Sequence, residues 1–166
     1  MFEIKRREQL TNNIYLMEIS AYWVARAAKP GQFIIIIIDD KGERIPLTIS
    51  DYNTEEGTIT IVFQIVGKST EKLAKLGKGN KLKDVVGPLG KESLLMYVPE
   101  EERPNKRILF VAGGVGTAPV YPQVKWVKEH GMKADVIIGT KTKNTLIMEE
   151  QMKEVADNLY VCTDDG

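Results

Sequence analysis

Two hydrophobic patterns divide this chain. Up to about residue 98, apolar and polar positions alternate in short runs that suit strands: Phe2–Arg7, Ile14–Ile19, Gln32–Ile38, Arg44–Ser50, Thr58–Val66 and Lys81–Val86. Turn signals separate them, among them Lys29-Pro30-Gly31, Asp39-Asp40-Lys41-Gly42 and Glu55-Glu56-Gly57. The five isoleucines at 34–38 read as a strand packed on both faces, because β-branched side chains fit a pleated surface. One short helix, Thr70–Leu76, interrupts the series and stops at Gly77, with Ser69 or Thr70 as its expected cap. Tyr22 and Trp23 fall in a loop before Pro30, and Gly87-Pro88-Leu89-Gly90 reads as a tight turn. Six short antiparallel strands with one helix predict a small closed β-barrel.

From Arg107 the period changes. Ile108–Ala112, Ala134–Gly139 and Leu159–Cys162 read as strands; Thr117–His130 and Leu146–Ala156 read as helices, the second capped by Asn144. This β-α-β-α-β order is the unit of a parallel sheet with right-handed crossovers. Trp126 and Val127 belong to the apolar face of the first of these helices, and His130 sits where a cation suits the helix dipole. Cys162 is expected to be a small buried hydrophobe. The polar, proline-bearing stretch 99–106 reads as a linker between a barrel domain, 1–98, and a parallel domain, 107–166. Three strands make only one half of a doubly wound sheet, so the Rossmann-like part is incomplete and is expected to continue beyond Gly166.

Charge and composition remove several classes. The 23 basic and 23 acidic side chains cancel, leaving no electrostatic case for nucleic acid or a membrane surface. The longest apolar run, Phe33–Ile38, is far too short for a bilayer span, and Met1 leads into charged residues rather than a signal peptide. A cytoplasmic protein is the expectation. A single cysteine excludes an internal disulfide and any cysteine-ligated cluster held within these 166 residues, and no metal site is expected.

The strongest chemical signal is Val111-Ala112-Gly113-Gly114-Val115-Gly116-Thr117-Ala118-Pro119, where a buried strand runs through glycines into a helix. Glycine allows positive φ and removes the Cβ that would block phosphates, while the helix start offers free N–H groups. Pro119 stands where the common dinucleotide fingerprint carries Gly or Ala. The first half holds three more clusters. Arg44-Ile45-Pro46-Leu47-Thr48 sets a cation, an apolar pair and a hydroxyl on one strand end. Val62-Phe63-Gln64 runs toward Gly67-Lys68-Ser69-Thr70, a glycine turn and helix start suited to a pyrophosphate. Gly87–Gly90 is the third.

In this order, PGQF (30–33), RIPLTI (44–49), VGKST (66–70), GPLGK (87–91), AGGVGTAP (112–119) and TDDG (163–166) resemble the ferredoxin–NADP reductase superfamily. Within it, the chain resembles the electron-transfer subunits of dihydroorotate dehydrogenase and of NADH-dependent reduced-ferredoxin:NADP oxidoreductase. The resemblance implies an FAD-binding barrel followed by an NAD(P)-binding domain. It places Pro46, Leu47 and Thr48 along the isoalloxazine, with the Thr48 hydroxyl near flavin N5. Val62, Phe63 and Gln64 match the strand beside the flavin, and Gly67, Ser69 and Thr70 the pyrophosphate turn. Gly113, Gly114, Gly116, Thr117 and Pro119 match the nicotinamide-nucleotide loop. Three departures stand out: the superfamily arginine would fall at Ile45, with Arg44 one position early; Gln64 replaces a frequent basic residue; and the cysteines of a [2Fe–2S] cluster would lie beyond TDDG. The implied partners are a larger flavoprotein or iron–sulfur subunit in a heterodimer, and ferredoxin.

Nucleotide choice normally lies after the second parallel strand, where a carboxylate binds the ribose 2′-hydroxyl and a cation a 2′-phosphate. Gly139-Thr140-Lys141-Thr142-Lys143 carries no carboxylate, so Lys141 and Lys143 favour NADP over NAD; Asp164 and Asp165 are further candidates to hold a ribose. Two functional readings follow. One is a flavin-dependent electron-transfer enzyme subunit; the other is a non-catalytic assembly module of a heteromeric oxidoreductase, without a complete nucleotide site.

Overall fold

The computed structural model describes residues 2–166. The first half forms seven antiparallel strands: β1 (Phe2–Gln9), β2 (Ile14–Ser20), β3 (Phe33–Ile37), β4 (Arg44–Asn53), β5 (Thr58–Gln64), β6 (Lys81–Leu82) and β7 (Asp84–Leu89). Their order is β6-β1-β2-β5-β4-β3-β7. The seventh strand arises because the predicted Lys81–Val86 segment serves two edges at once. Lys81–Leu82 pairs with β1 and Asp84–Leu89 pairs with β3, so only Lys83 separates the two ends of the sheet. Pairing both edges through one segment removes most of the open edge that a flat sheet would expose.

Ile34, Ile36 and Ile38 enter the barrel core, while Ile35 and Ile37 are half-buried on the other side. The isoleucine run is thus packed fully on one face, not on both, because its alternate side chains leave the barrel. Gly87-Pro88-Leu89 belongs to β7, not to a turn. The register with β3 shifts between Phe33 and Ile35, and this bulge accommodates a proline on a strand with a partner on one side only.

Tyr22 and Trp23 lie on a helix, α1 (Tyr22–Ala27), where a loop was expected. Ala21, Val24, Ala25 and Ala28 are all buried in the barrel core, and their i, i+3, i+4, i+7 spacing is a helical signal carried mostly on small side chains. A second helix, α2 (Lys68–Ala74), follows β5. Its N-cap is Gly67, neither Ser69 nor Thr70: the Thr70 hydroxyl accepts from the Val66 and Gly67 amides at 3.0 and 3.2 Å and donates to the Gly67 carbonyl.

The second half is a three-stranded parallel sheet, ordered β10-β9-β8, from β8 (Arg107–Gly113), β9 (Lys133–Thr140) and β10 (Asn158–Thr163). Helix α3 (Thr117–Glu129) follows β8, and α4 (Glu149–Val155) follows β9. The last helix begins later than expected, and Asn144 lies inside a 3-10 turn, Lys143–Thr145, rather than at a cap. Ile147 and Met148 are buried, Met148 with φ +57, so helical geometry starts only once these two side chains are anchored. His130 closes α3, its Nδ1 2.8 Å from the Trp126 carbonyl and its ring stacked on Trp126.

Cys162 is exposed, against expectation, because one face of the parallel sheet is bare. Leu109, Val111 and Tyr160 are exposed on that same face. The opposite face forms a core with α3 and α4 that also takes in Ile14, Leu16 and Val62 of the barrel. The stretch 99–106 packs too: Arg103 stacks 5.3 Å over the Trp126 ring and donates to the Val98 carbonyl. The two halves therefore meet through shared apolar side chains.

Candidate functional site

The glycine segment folds as its composition requires. Gly113 ends β8 in extended geometry, and a Cβ there would stand 3.3 Å from the Gly139 carbonyl. Gly114 has φ +53, a conformation that L side chains rarely adopt, and a Cβ on Gly114, Gly116 or Gly139 would meet no atom within 4 Å. The chain thus leaves bare backbone facing open space immediately before α3. Thr117 opens that helix fully buried, with its hydroxyl unpartnered among the described residues; Pro119 lies in the first turn.

A cleft of about 620 Å³ opens in front of this turn. One wall is Gly113, Gly114 and Val115; the floor is Gly139, Thr140 and Lys141 with Cys162 and Asp164 from the neighbouring strand end; the opposite wall is Asn13, Ile14 and Gln64 of the barrel. The volume suits a small organic ligand or half of a dinucleotide. Asn13 and Ile14 gave no signal of this in the sequence, since nothing local shows that the β1–β2 turn faces β8.

On the barrel side, β4 sorts its side chains by the pleat. Ile45, Leu47 and Ile49 turn into the barrel core, and Arg44 and Pro46 are exposed with Thr48 half-buried on the outer face. Position 45, where the superfamily arginine falls, is therefore a core position; Arg44 shares the outer face with Thr48. Val62 and Phe63 turn their side chains into the two cores, Phe63 stacking on Tyr15 at 6.0 Å, so Gln64 is the one of the three that reaches the cleft. At the start of α2 the Ser69 hydroxyl donates to the Glu43 carboxylate. An anionic group already stands at the place where the resemblance puts the flavin pyrophosphate, so the donor there suits an anion.

Beyond Lys141 the fold adds what the second strand lacks. The Asp165 carboxylate accepts the Lys143 N–H at 3.1 and 3.3 Å, and Asp164 lines the cleft beside Lys141. Two acidic side chains from the end of β10 thus stand beside the loop after β9. Among the described residues no His, Cys, Asp or Glu cluster could hold a metal ion, and no helix is long and apolar enough to cross a membrane.

No protein-family profile matches the chain. Curated relatives and solved structures do. A structure of NADH-dependent reduced ferredoxin–NADP oxidoreductase, described for flavin-based electron bifurcation, superposes with a TM-score of 0.89 at 38% identity, covering 100% of this chain and 58% of that one. Its fold is that of ferredoxin–NADP reductase: a Plasmodium falciparum ferredoxin–NADP+ reductase superposes with a TM-score of 0.77 at 15% identity. A protein from Thermotoga maritima, named as a homologue of the dihydroorotate dehydrogenase B electron-transfer subunit, is 40% identical over 99% of this chain and 55% of its own length. The electron-transfer subunit of dihydroorotate dehydrogenase B from Fusobacterium nucleatum is 32% identical over 98% and 62%. An uncharacterised Clostridium beijerinckii protein is 57% identical over 100% and 56%. Phthalate dioxygenase reductase shares the fold at 16% identity, with a TM-score of 0.79. The chain spans little more than half the length of these curated relatives.

Proposed function

We propose that this chain is the flavin- and nicotinamide-binding part of an electron-transfer subunit, taking hydride from a reduced nicotinamide dinucleotide into FAD. The observation that carries this reading is the shared cleft: the glycine turn before α3 and the barrel residues Asn13, Ile14 and Gln64 face each other across it. Hydride transfer between nicotinamide C4 and flavin N5 is chemistry that the two cofactors supply when bound. The chain's own residues bind, orient and exclude water. The bare amides of Gly113–Gly116 hold the pyrophosphate of the dinucleotide at the start of α3. The outer face of β4, with Arg44, Pro46 and Thr48, lies along the flavin, and Thr48 offers a hydroxyl near its reacting edge. Gly67, Ser69 and Thr70 receive the flavin phosphates, Glu43 giving way to them.

The nucleotide that best fits is NADH. Lys141 and Lys143 taken alone favour a 2′-phosphate, but Asp164 and Asp165 stand beside them and repel it while accepting ribose hydroxyls. The names of the relatives from dihydroorotate dehydrogenase B, which specify NAD(+), support the same choice. Electrons then pass to an iron–sulfur partner or larger flavoprotein subunit in a heteromeric complex, with ferredoxin a candidate acceptor. The first test is an absorbance spectrum after loading with FAD, followed by anaerobic NADH and, separately, NADPH. Bound-flavin bands bleached faster by NADH are the expected result. A protein that takes up no flavin supports the alternative of an assembly module.

A further inference from the structure

The contact between β4 and α3 joins the two halves of the proposed site. Strand β4 carries the flavin face at Thr48, and α3 grows out of the glycine turn. About 10 Å along the strand from Thr48 stands Asp51. About 12 Å along the helix from Thr117 stands Lys125. Lys125 Nζ donates to Asp51 Oδ1 at 2.9 Å, and both side chains are about one-third exposed. Tyr52, Pro122, Trp126 and Glu129 enclose a small cavity beside the pair.

Two features set this contact apart. First, the register of β4 against β5 shifts between Ile49 and Asp51. The shift adds Ser50, buried with its hydroxyl unpartnered among the described residues, and it re-aims Asp51 along the strand. A buried hydroxyl without a partner is a cost to folding. Second, Lys125 is partly desolvated: burial pulls its ammonium down, and the Asp51 hydrogen bond and charge, with Tyr121 and Glu129, more than offset this and hold it above its ordinary value. A partly exposed ion pair adds little to stability, and an attested use of polar pairs within contacts is to fix one arrangement among several.

We propose that Lys125 and Asp51 form a positioning latch that fixes α3 on β4 and so sets the distance between the dinucleotide at the glycine turn and the flavin along β4. The latch rests on the reading that this cleft holds NADH against a flavin. Neither residue lines that cleft, so they act through the helix and strand that carry it. Reacting atoms displaced by about 1 Å lose on the order of a hundredfold in rate, so a small change of tilt is legible kinetically.

The test is stopped-flow anaerobic reduction of the FAD-loaded protein by saturating NADH, with Lys125→Met, Asp51→Asn, Lys125→Arg and the charge-exchanged pair Asp51→Lys/Lys125→Asp. Met and Asn variants are expected to bind FAD and keep the NADH concentration for half-saturation within about twofold, while the limiting reduction rate falls about tenfold or more. Lys125→Arg and the exchanged pair are expected to recover much of that rate. An unchanged rate in both single variants overturns the latch. Loss of flavin or of the folded state in both also overturns it, since the pair is then a structural brace. A wild-type protein that binds FAD but is not reduced by NADH overturns the reading beneath it, and the latch with it; that result is seen before any variant is made.

Discussion

At the scale of single residues, the glycine turn is the most exacting feature. Gly114 holds φ +53 with open space where a Cβ would go. Replacing it with alanine puts an L side chain in the left-handed region at about 1–2 kcal/mol and sets a methyl group in the path proposed for the dinucleotide. Gly114→Ala is expected to raise the NADH concentration for half-reduction about tenfold while leaving FAD uptake intact, read by anaerobic titration of flavin absorbance. Asp165 is the complementary case. Its bond to the Lys143 amide fixes a carboxylate beside the loop proposed to meet the ribose, so Asp165→Ala is expected to lower the preference for NADH over NADPH about tenfold. Equal rates with both nucleotides before and after the change defeat that role. The sequence named Asp165 as a candidate, but what it faces depends on a contact across 22 residues.

At the scale of elements, the parallel sheet is braced by one carboxylate. Asp135 on β9 accepts from Arg107 of β8 at 2.5 and 2.8 Å and from Asn158 of β10 at 2.7 Å, so one side chain ties all three strands together. The Arg107 and Asn158 hydrogen bonds hold its carboxyl below the ordinary value of 3.8. Because the folded-state value is depressed, this stabilisation is fully present above 3.8 and is lost as pH falls through the lower folded value. Acid unfolding followed by circular dichroism is expected to show Asp135→Asn with a flatter dependence on pH in that window than the wild type. Identical profiles count against the brace. Strand and helix positions were largely legible here, because Ile108–Ala112, Ala134–Gly139 and the α3 stripe repeat with clean periods. The exceptions are instructive: α1 carries its period on alanines, and α4 starts late because buried Ile147 and Met148 fix the approach to it.

At the scale of the whole molecule, the two faces of the parallel sheet differ. One packs on α3 and α4; the other exposes Leu109, Val111 and Tyr160, which are 60%, 69% and 55% exposed. Parallel sheets are ordinarily covered on both faces. The 166-residue chain on its own is therefore expected to bind a hydrophobic dye such as ANS and to self-associate. Val111→Glu is expected to reduce both without lowering the helical circular dichroism signal. Dye binding that the substitution leaves unchanged places the apolar surface elsewhere.

Local chemistry in the sequence determined most element types, the glycine turn and the division into a barrel and a parallel sheet, because hydrophobic period and backbone freedom act over a few residues. It also carried the resemblance to the ferredoxin–NADP reductase superfamily, through six short segments in order. Only the tertiary structure decided that seven strands nearly close the barrel, since one segment pairs with both edges. It likewise brought Asn13 and Gln64 opposite Gly114, set Asp164 and Asp165 beside Lys141 and Lys143, and seated Lys125 on Asp51. Each of these joins residues far apart in the chain, and such contacts depend on how elements pack rather than on what any one of them contains.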